Sequence, residues 1–129
     1  MAYVYIRQYY DREQTILRKE YFQFRGIKEG KYIKYYTNNQ QIMTIYNYIG
    51  GKRFGECREY YMDGQIMVIA NFNNDNLDGE YIAYYDNGQL QEKTNYVNGK
   101  LHGKYEAYTY EGDLIESSNY ILGKKYLIN

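Results

Sequence analysis

The chain has 129 residues, with sixteen basic and sixteen acidic side chains and a formal net charge of zero. That balance, with no basic cluster, excludes the electrostatic footprint of a nucleic-acid binder and gives no steering toward anionic membranes. The one cysteine, Cys57, cannot form an intramolecular disulfide, so the fold holds without staples, as suits a reducing compartment. No apolar h-region stands near the N-terminus, and the longest near-apolar stretch, Ile66 to Ala70, is far short of a membrane span. The expected localisation is therefore cytoplasmic or otherwise intracellular. Twenty-one tyrosines with no proline or tryptophan favour strands whose rings pack while their hydroxyls reach water.

Glycines at positions 30, 55, 79 and 103 recur at intervals of 25, 24 and 24 residues. A fixed period of this length predicts a repeat array. In chain order the array begins with a degenerate copy at residues 4–29, in which Tyr9-Tyr10, Ile16 and Gly26 match Tyr35-Tyr36, Ile42 and Gly51 of the next copy. A terminal copy has one neighbour and tolerates such drift. Regular copies follow at residues 30–54, 55–78, 79–102 and 103–126, with a tail at 127–129, so that one array of about five repeats fills residues 1–129.

With each anchor glycine as position 1, position 3 is Tyr32, Cys57, Tyr81 and Tyr105. Position 6 is Tyr35, Tyr60, Tyr84 and Tyr108, and position 7 is Tyr36, Tyr61, Tyr85 and Thr109. A turn follows at Asn38-Asn39, Asp63-Gly64, Asn87-Gly88 and Glu111-Gly112. Asp-Gly and Asn-Gly predict type I′ geometry there, with positive φ at both central residues. The 30–54 copy has one extra residue before Ile42, which predicts a longer or bulged turn. Beyond the turn come Ile42, Ile66, Leu90 and Leu114, then Tyr48, Phe72, Tyr96 and Tyr120. A second turn falls at Gly50-Gly51, Asn74-Asp75, Asn98-Gly99 and Leu122-Gly123.

No window keeps a 3.6-residue apolar period, so both runs of each copy are predicted as strands. The expected fold is all-β: a single-layer, twisted, elongated antiparallel sheet of about five consecutive hairpins, with about ten strands. At a strand spacing of ~4.8 Å it would run on the order of 45 Å. Alternation along a strand sends positions 3 and 7 to one face and position 6 to the other. The candidate partner-binding stripe is accordingly Tyr32, Tyr36, Tyr61, Tyr81, Tyr85 and Tyr105, with Cys57 in its line. The apolar tail Tyr126, Leu127 and Ile128, at an open sheet edge, is the candidate dimer contact.

Little else carries chemistry. His102 is the only histidine, occupies a turn, and has no second His or Cys with which to bind zinc. Cys57 replaces a recurring tyrosine in mid-strand and reads as a small apolar filler. The acids Asp75 with Asp78 and Glu111 with Asp113 sit in turns, where such residues stabilise the backbone. Residues 73–79 have the look of a calcium loop, but position 85, where its bidentate glutamate belongs, is Tyr85. No catalytic residue, cofactor site or metal site is assigned.

The segment Asn95 to Asp113 resembles a MORN repeat (membrane occupation and recognition nexus). Tyr96, Asn98-Gly99, Lys100, His102-Gly103, Tyr105 and Gly112 stand at the positions of that family's pattern. The match is good from Gly55 to Lys124 and weaker from Gly30. The family's usual tryptophan is absent, and no glycine stands at position 3. The spacing of 24 resembles the variant form in bacterial antitoxin-like and giant-virus proteins. The resemblance implies the same hairpin sheet and a non-enzymatic scaffold or protein–protein interaction role, in host cytoplasm if the chain is viral. The expected partner is a protein, with a second copy of the chain as a further candidate. Lipid- or membrane-surface binding is the alternative. It requires a basic stripe, whereas the bases here alternate with acids, as at Arg58-Glu59. Carbohydrate binding along a tyrosine-lined trough is the second alternative.

Overall fold

The computed structural model describes residues 2–128 and is all-β: fourteen strands, every pair antiparallel, form one open sheet. Residues 1 and 129, the outer limits of the expected array, lie outside the described residues. Eleven strands follow one another across the sheet in chain order: β1 (Val4–Tyr9), β2 (Leu17–Phe24), β3 (Ile27–Tyr35), β4 (Ile42–Ile49), β6 (Gly55–Tyr60), β7 (Ile66–Asn73), β9 (Gly79–Tyr84), β10 (Leu90–Val97), β12 (Gly103–Tyr108), β13 (Leu114–Ile121) and β14 (Lys124–Tyr126). Three two-residue strands, β5 (Lys52–Arg53), β8 (Asn76–Leu77) and β11 (Lys100–Leu101), fold back onto the ends of β4, β7 and β10. These short returns, and β14 after the last copy's turn, are set off by the second turn of each copy, which is why the strands outnumber the expected ten.

The two turns of each copy differ in kind. At Asp63-Gly64, Asn87-Gly88 and Glu111-Gly112 only the glycine has positive φ, at 92°, 84° and 96°, so these are not type I′ turns. Gly64 N–H donates to the Tyr61 carbonyl at 2.9 Å, and Gly88 and Gly112 repeat the bond to Tyr85 and Thr109 at 3.0 Å. Each is a type I turn closed by a left-handed glycine, and the β6–β7, β9–β10 and β12–β13 ladders shift register beside it. The residue before the glycine has another use. Asp63 and Asn87 each accept the backbone N–H two positions on, at 3.0 Å from Gln65 and Gln89. Positive φ at both central residues occurs instead at the second turns: Gly50-Gly51 (58°, 84°), Asn74-Asp75 (53°, 70°), Asn98-Gly99 (47°, 79°) and Leu122-Gly123 (45°, 87°). In the 30–54 copy the first loop takes one residue more, Tyr36 N–H reaching the Gln41 carbonyl at 2.8 Å.

Register gives each face its residues. One row of cross-strand partners runs Lys19, Lys34, Thr44, Glu59, Val68, Ala83, Glu92, Ala107, Glu116 from β2 to β13. The eight buried residues among those described, Tyr21, Tyr32, Thr44, Cys57, Ala70, Ala83, Thr94 and Ser118, all stand on this face. Such one-sided crowding belongs to the inside of a curved sheet, and we call this the inner face. The neighbouring row, Ile33, Ile45, Arg58, Ile69, Ile82, Lys93, Glu106 and Ser117, lies on the outer face.

The inner core is built from rings set against gaps. Each anchor glycine pairs across its hairpin with an aromatic residue: Gly30 with Tyr48, Gly55 with Phe72, Gly79 with Tyr96 and Gly103 with Tyr120. A glycine leaves its strand bare at that point, so the opposing ring covers it and reaches position 3. Ring centroids lie 5.6 Å apart for Tyr32–Tyr48, 5.9 Å for Tyr81–Tyr96 and 6.0 Å for Tyr105–Tyr120, all edge-to-face. Such pairs contribute about 0.5–1.5 kcal/mol beyond the area they bury. In the 55–78 copy Cys57 leaves space at position 3, and Phe72 meets Tyr46 of the preceding copy at 6.3 Å.

Candidate interaction surface

The expected stripe divides in two. Tyr32, Tyr81 and Tyr105 stand on the inner face with Cys57, Tyr32 buried at 5% exposure and the other two half-buried. Tyr36, Tyr61 and Tyr85 fall just past their strands, and their hydroxyls donate to the backbone carbonyls of Tyr60, Tyr84 and Tyr108 at 2.6, 2.7 and 2.8 Å. Each bond spans one copy, so position 7 ties every repeat to the next. The Tyr10 hydroxyl repeats the contact at 3.4 Å to the Tyr35 carbonyl. The position 6 residues Tyr35, Tyr60, Tyr84 and Tyr108 are on the outer face, beside Ile42, Ile66, Leu90 and Leu114. Burial, with the Glu20 carboxylate accepting its proton at 2.9 Å, pushes the Tyr35 hydroxyl up to about 12.

The remaining inner-face aromatics come from the second strand of each copy: Tyr46, Tyr48, Phe72, Tyr96 and Tyr120. With Tyr21, Tyr32, Tyr81 and Tyr105 they make an aromatic floor in three groups: Tyr21, Tyr32, Tyr46, Tyr48 and Phe72, then Tyr81 with Tyr96, then Tyr105 with Tyr120. Cations lie over its N-terminal part. Lys28 Nζ is 5.7, 5.0 and 5.2 Å from the ring centroids of Tyr21, Tyr32 and Tyr48. Lys19 Nζ is 5.8 Å from both Tyr21 and Tyr32. Burial, and then the charges of Lys19 and Lys34, lower the Lys28 ammonium below its ordinary value. Arg53 lies 4.2 Å over Phe72 and is held by Asp75 at 3.0 Å.

The C-terminal part carries acids instead. Burial raises the Glu92 carboxyl above the usual carboxylate range, and burial followed by the Glu92 charge raises the hydroxyls of Tyr96 and Tyr105. Strand alternation alone points to Lys19 and Lys34, which share parity with Tyr21 and Tyr32. It points to Lys28 equally, because the β2–β3 ladder skips two residues of β3 between Tyr21 and Phe22 and so leaves unchanged which residues of β3 face inward.

The other singled-out residues have local structural partners. Cys57 is buried at 4% exposure, and burial pushes its thiol up to about 11, so the sulfur is protonated at neutral pH and closed to reagents. His102 Nδ1 accepts the Leu122 N–H at 3.3 Å, capping the last turn. The Asp75 carboxylate accepts the Arg53 N–H at 2.8 Å as well as its guanidinium. Among the described residues no three His, Cys, Asp or Glu side chains gather as a metal site would require. Tyr126 ends β14 on the open edge, and Leu127 and Ile128 beyond it are 85% and 73% exposed.

Residues 55–74 and 77–98 match the family model described as MORN repeat variant. No curated protein matches the chain.

Proposed function

Because this chain is a MORN repeat protein of the variant type, we propose that it is a non-enzymatic module that docks another protein along its inner face. MORN repeat arrays are in general binding modules. One observation supports the rest: the inner face is a floor of aromatic rings fringed by charges, and among the described residues no helix or second sheet covers it. Half-exposed tyrosines at the centre of such a patch are the residue type that anchors protein interfaces. Tyr81 and Tyr105 are the proposed anchors. Tyr36, Tyr61 and Tyr85 support the surface by linking the copies. Antitoxin-like and scaffold roles are two versions of this reading, distinguished by whether the partner is toxic when expressed alone.

Affinity capture of the tagged intact chain from its own cells, followed by Tyr81→Ser/Tyr105→Ser, tests the proposal. The partner should be lost from this variant and retained by the outer-face variant Ile69→Ser/Ile82→Ser, both checked for native circular dichroism. Retention by the inner-face variant with loss from the outer-face one would place the interface on the opposite side and overturn the reading.

A further inference from the structure

The inner-face row that fixes the register is also segregated by charge. Lys19 and Lys34 stand directly opposite each other across β2–β3, and Lys28 lies over the same rings. Like charges placed opposite one another on a sheet are destabilising. The ion pairs among the described residues are Arg7–Glu20, Arg53–Asp75, Arg58–Glu56, Lys104–Glu106 and Lys125–Glu116, and none of them involves the three lysines. Farther along the row, Glu59 and Glu92 are likewise outside every ion pair. On the outer face Arg7, Arg58 and Lys104 each have an acid beside them. Lys19, Lys28 and Lys34 on β2 and β3, and Glu59 and Glu92 on β6 and β10, are thus inner-face charges without an ion-pair partner, sorted by sign along the sheet. Local conflict of this kind, in which Lys19 and Lys28 rest on the Tyr21, Tyr32 and Tyr48 rings with no acid in an ion pair with them, is expected where a ligand supplies the missing partner.

Resting on the interaction-module reading, we propose that the inner face docks a protein segment with two oppositely charged ends, an acidic end over Lys19, Lys28 and Lys34 and a basic end over Glu59 and Glu92. A nucleic acid or an anionic membrane would satisfy the lysines and be repelled by the glutamates, so a polypeptide bearing both signs is the occupant that fits the whole row. The sheet sets the spacing. From β3 to β10 is five strand steps along the sheet order, which at ~4.8 Å each is about 24 Å. An extended chain covers that in about seven residues at roughly 3.4 Å per residue. The aromatic floor between the two charged ends takes the intervening apolar or aromatic side chains.

The test uses the intact chain and two labelled peptides of identical composition, read by fluorescence anisotropy at low salt. One has a block of four glutamates, a three-residue tyrosine-containing spacer and a block of four lysines. The other alternates glutamate and lysine about the same spacer. The block peptide should bind about tenfold tighter, a preference lost as salt rises. Lys19→Glu/Lys34→Glu should abolish the preference. Adding Glu59→Lys/Glu92→Lys should restore it, since the peptide can lie in the reverse direction. Where the Glu variants shift the urea midpoint, Lys19→Gln/Lys34→Gln replaces them and should remove most of the preference. Equal binding of the two peptides, or failure of the fourfold swap to rescue a folded protein, overturns the proposal. So does a self-associated chain that excludes the peptide, which would make a second copy the occupant. Capture of the cellular partner that ignores all four charges overturns the charge assignment and leaves inner-face docking standing, whereas capture that also ignores Tyr81 and Tyr105 overturns docking on the inner face.

Discussion

The two faces of this sheet are made from the same strands and do different work. On the inner face rings lie over glycines and small residues, every buried residue among those described is found there, and the unpaired lysines and glutamates are sorted by sign. On the outer face a half-buried isoleucine row, Ile33, Ile45, Ile69 and Ile82, is flanked by ion pairs between near neighbours. A single-layer sheet has no second layer to bury against. Here it gathers an aromatic core on one face, while the other sets the ion pairs Arg7–Glu20, Arg58–Glu56 and Lys104–Glu106 beside its isoleucines.

That contrast is most directly broken by truncation. Tyr32→Ala removes the ring at the centre of the Tyr21, Tyr48 and Lys28 cluster, with the side chain 5% exposed. It should cost ~3–4 kcal/mol, the range for a buried aromatic. Ile69→Ala on the outer face should cost about 1–2 kcal/mol, because the isoleucine is only half-buried. Urea midpoints at constant slope measure both. Equal losses would mean that the faces contribute alike.

Backbone strain sharpens the same comparison. Gly79 sits at φ +113°, and a Cβ there would meet the Cβ of Asn71, across β6–β9's shared neighbour β7, at 3.2 Å. Gly103 sits at φ +94° with nothing within 4 Å of its Cβ. Gly103→Ala therefore reports conformational strain alone, about 2 kcal/mol, and Gly79→Ala should cost ~3 kcal/mol because Asn71 must also move. If the two variants lose the same stability, Asn71 yields freely and the inner face is looser than its packing implies.

How much of this was legible in the sequence follows from which signals are local. The period, the hairpins and the antiparallel sheet are written in glycines and turn residues 24 apart, and the strands follow. Partner identity across the sheet is also legible wherever strands are regular, as at Tyr32, Tyr81 and Tyr105. Two things were not. Asp63-Gly64 and Asn98-Gly99 look alike as dipeptides, yet only the second has both residues left-handed; loop length and the Asp63 side-chain bond to Gln65 N–H decide the first. Tyr36, Tyr61 and Tyr85 were grouped with position 3 by parity, but a bulge precedes each, and the acceptors of their hydroxyls lie in the next copy. Contacts between copies have no signature within one copy.

Alkaline pH should weaken the inner face first. Burial raises the Cys57 thiol from the ordinary 9.0 to about 11, so its stabilisation is complete below pH 9 and is lost as pH rises through 11. Desolvation raises Tyr32, Tyr46, Tyr48, Tyr81, Tyr96 and Tyr105 above 10.0 in the same sense, adding to the loss above pH 10. The thiol's share is on the order of 2 kcal/mol across that window. Cys57→Ala should flatten the pH 9–10 part of the stability curve and leave the tyrosine part. A wild-type curve flat to pH 11 would show that the inner face is more hydrated than its burial indicates.

The smallest effect tests the element that joins the copies. Tyr61→Phe keeps the ring and deletes the hydroxyl that donates to the Tyr84 carbonyl at 2.7 Å. A net hydrogen bond of this kind is worth ~1 kcal/mol. Because the bond links one repeat to the next, the loss should appear at the junction between copies: amide exchange should quicken around Tyr84 and Tyr85 more than within the Gly55–Tyr60 and Ile66–Asn73 hairpin that Tyr61 itself closes. The same change at Tyr36 or Tyr85 should move the faster exchange by one repeat, toward Tyr60 or Tyr108. Exchange that instead quickens within the variant's own hairpin would make position 7 a local turn residue, and the coupling between copies would then rest on the backbone ladder and the inner-face rings alone.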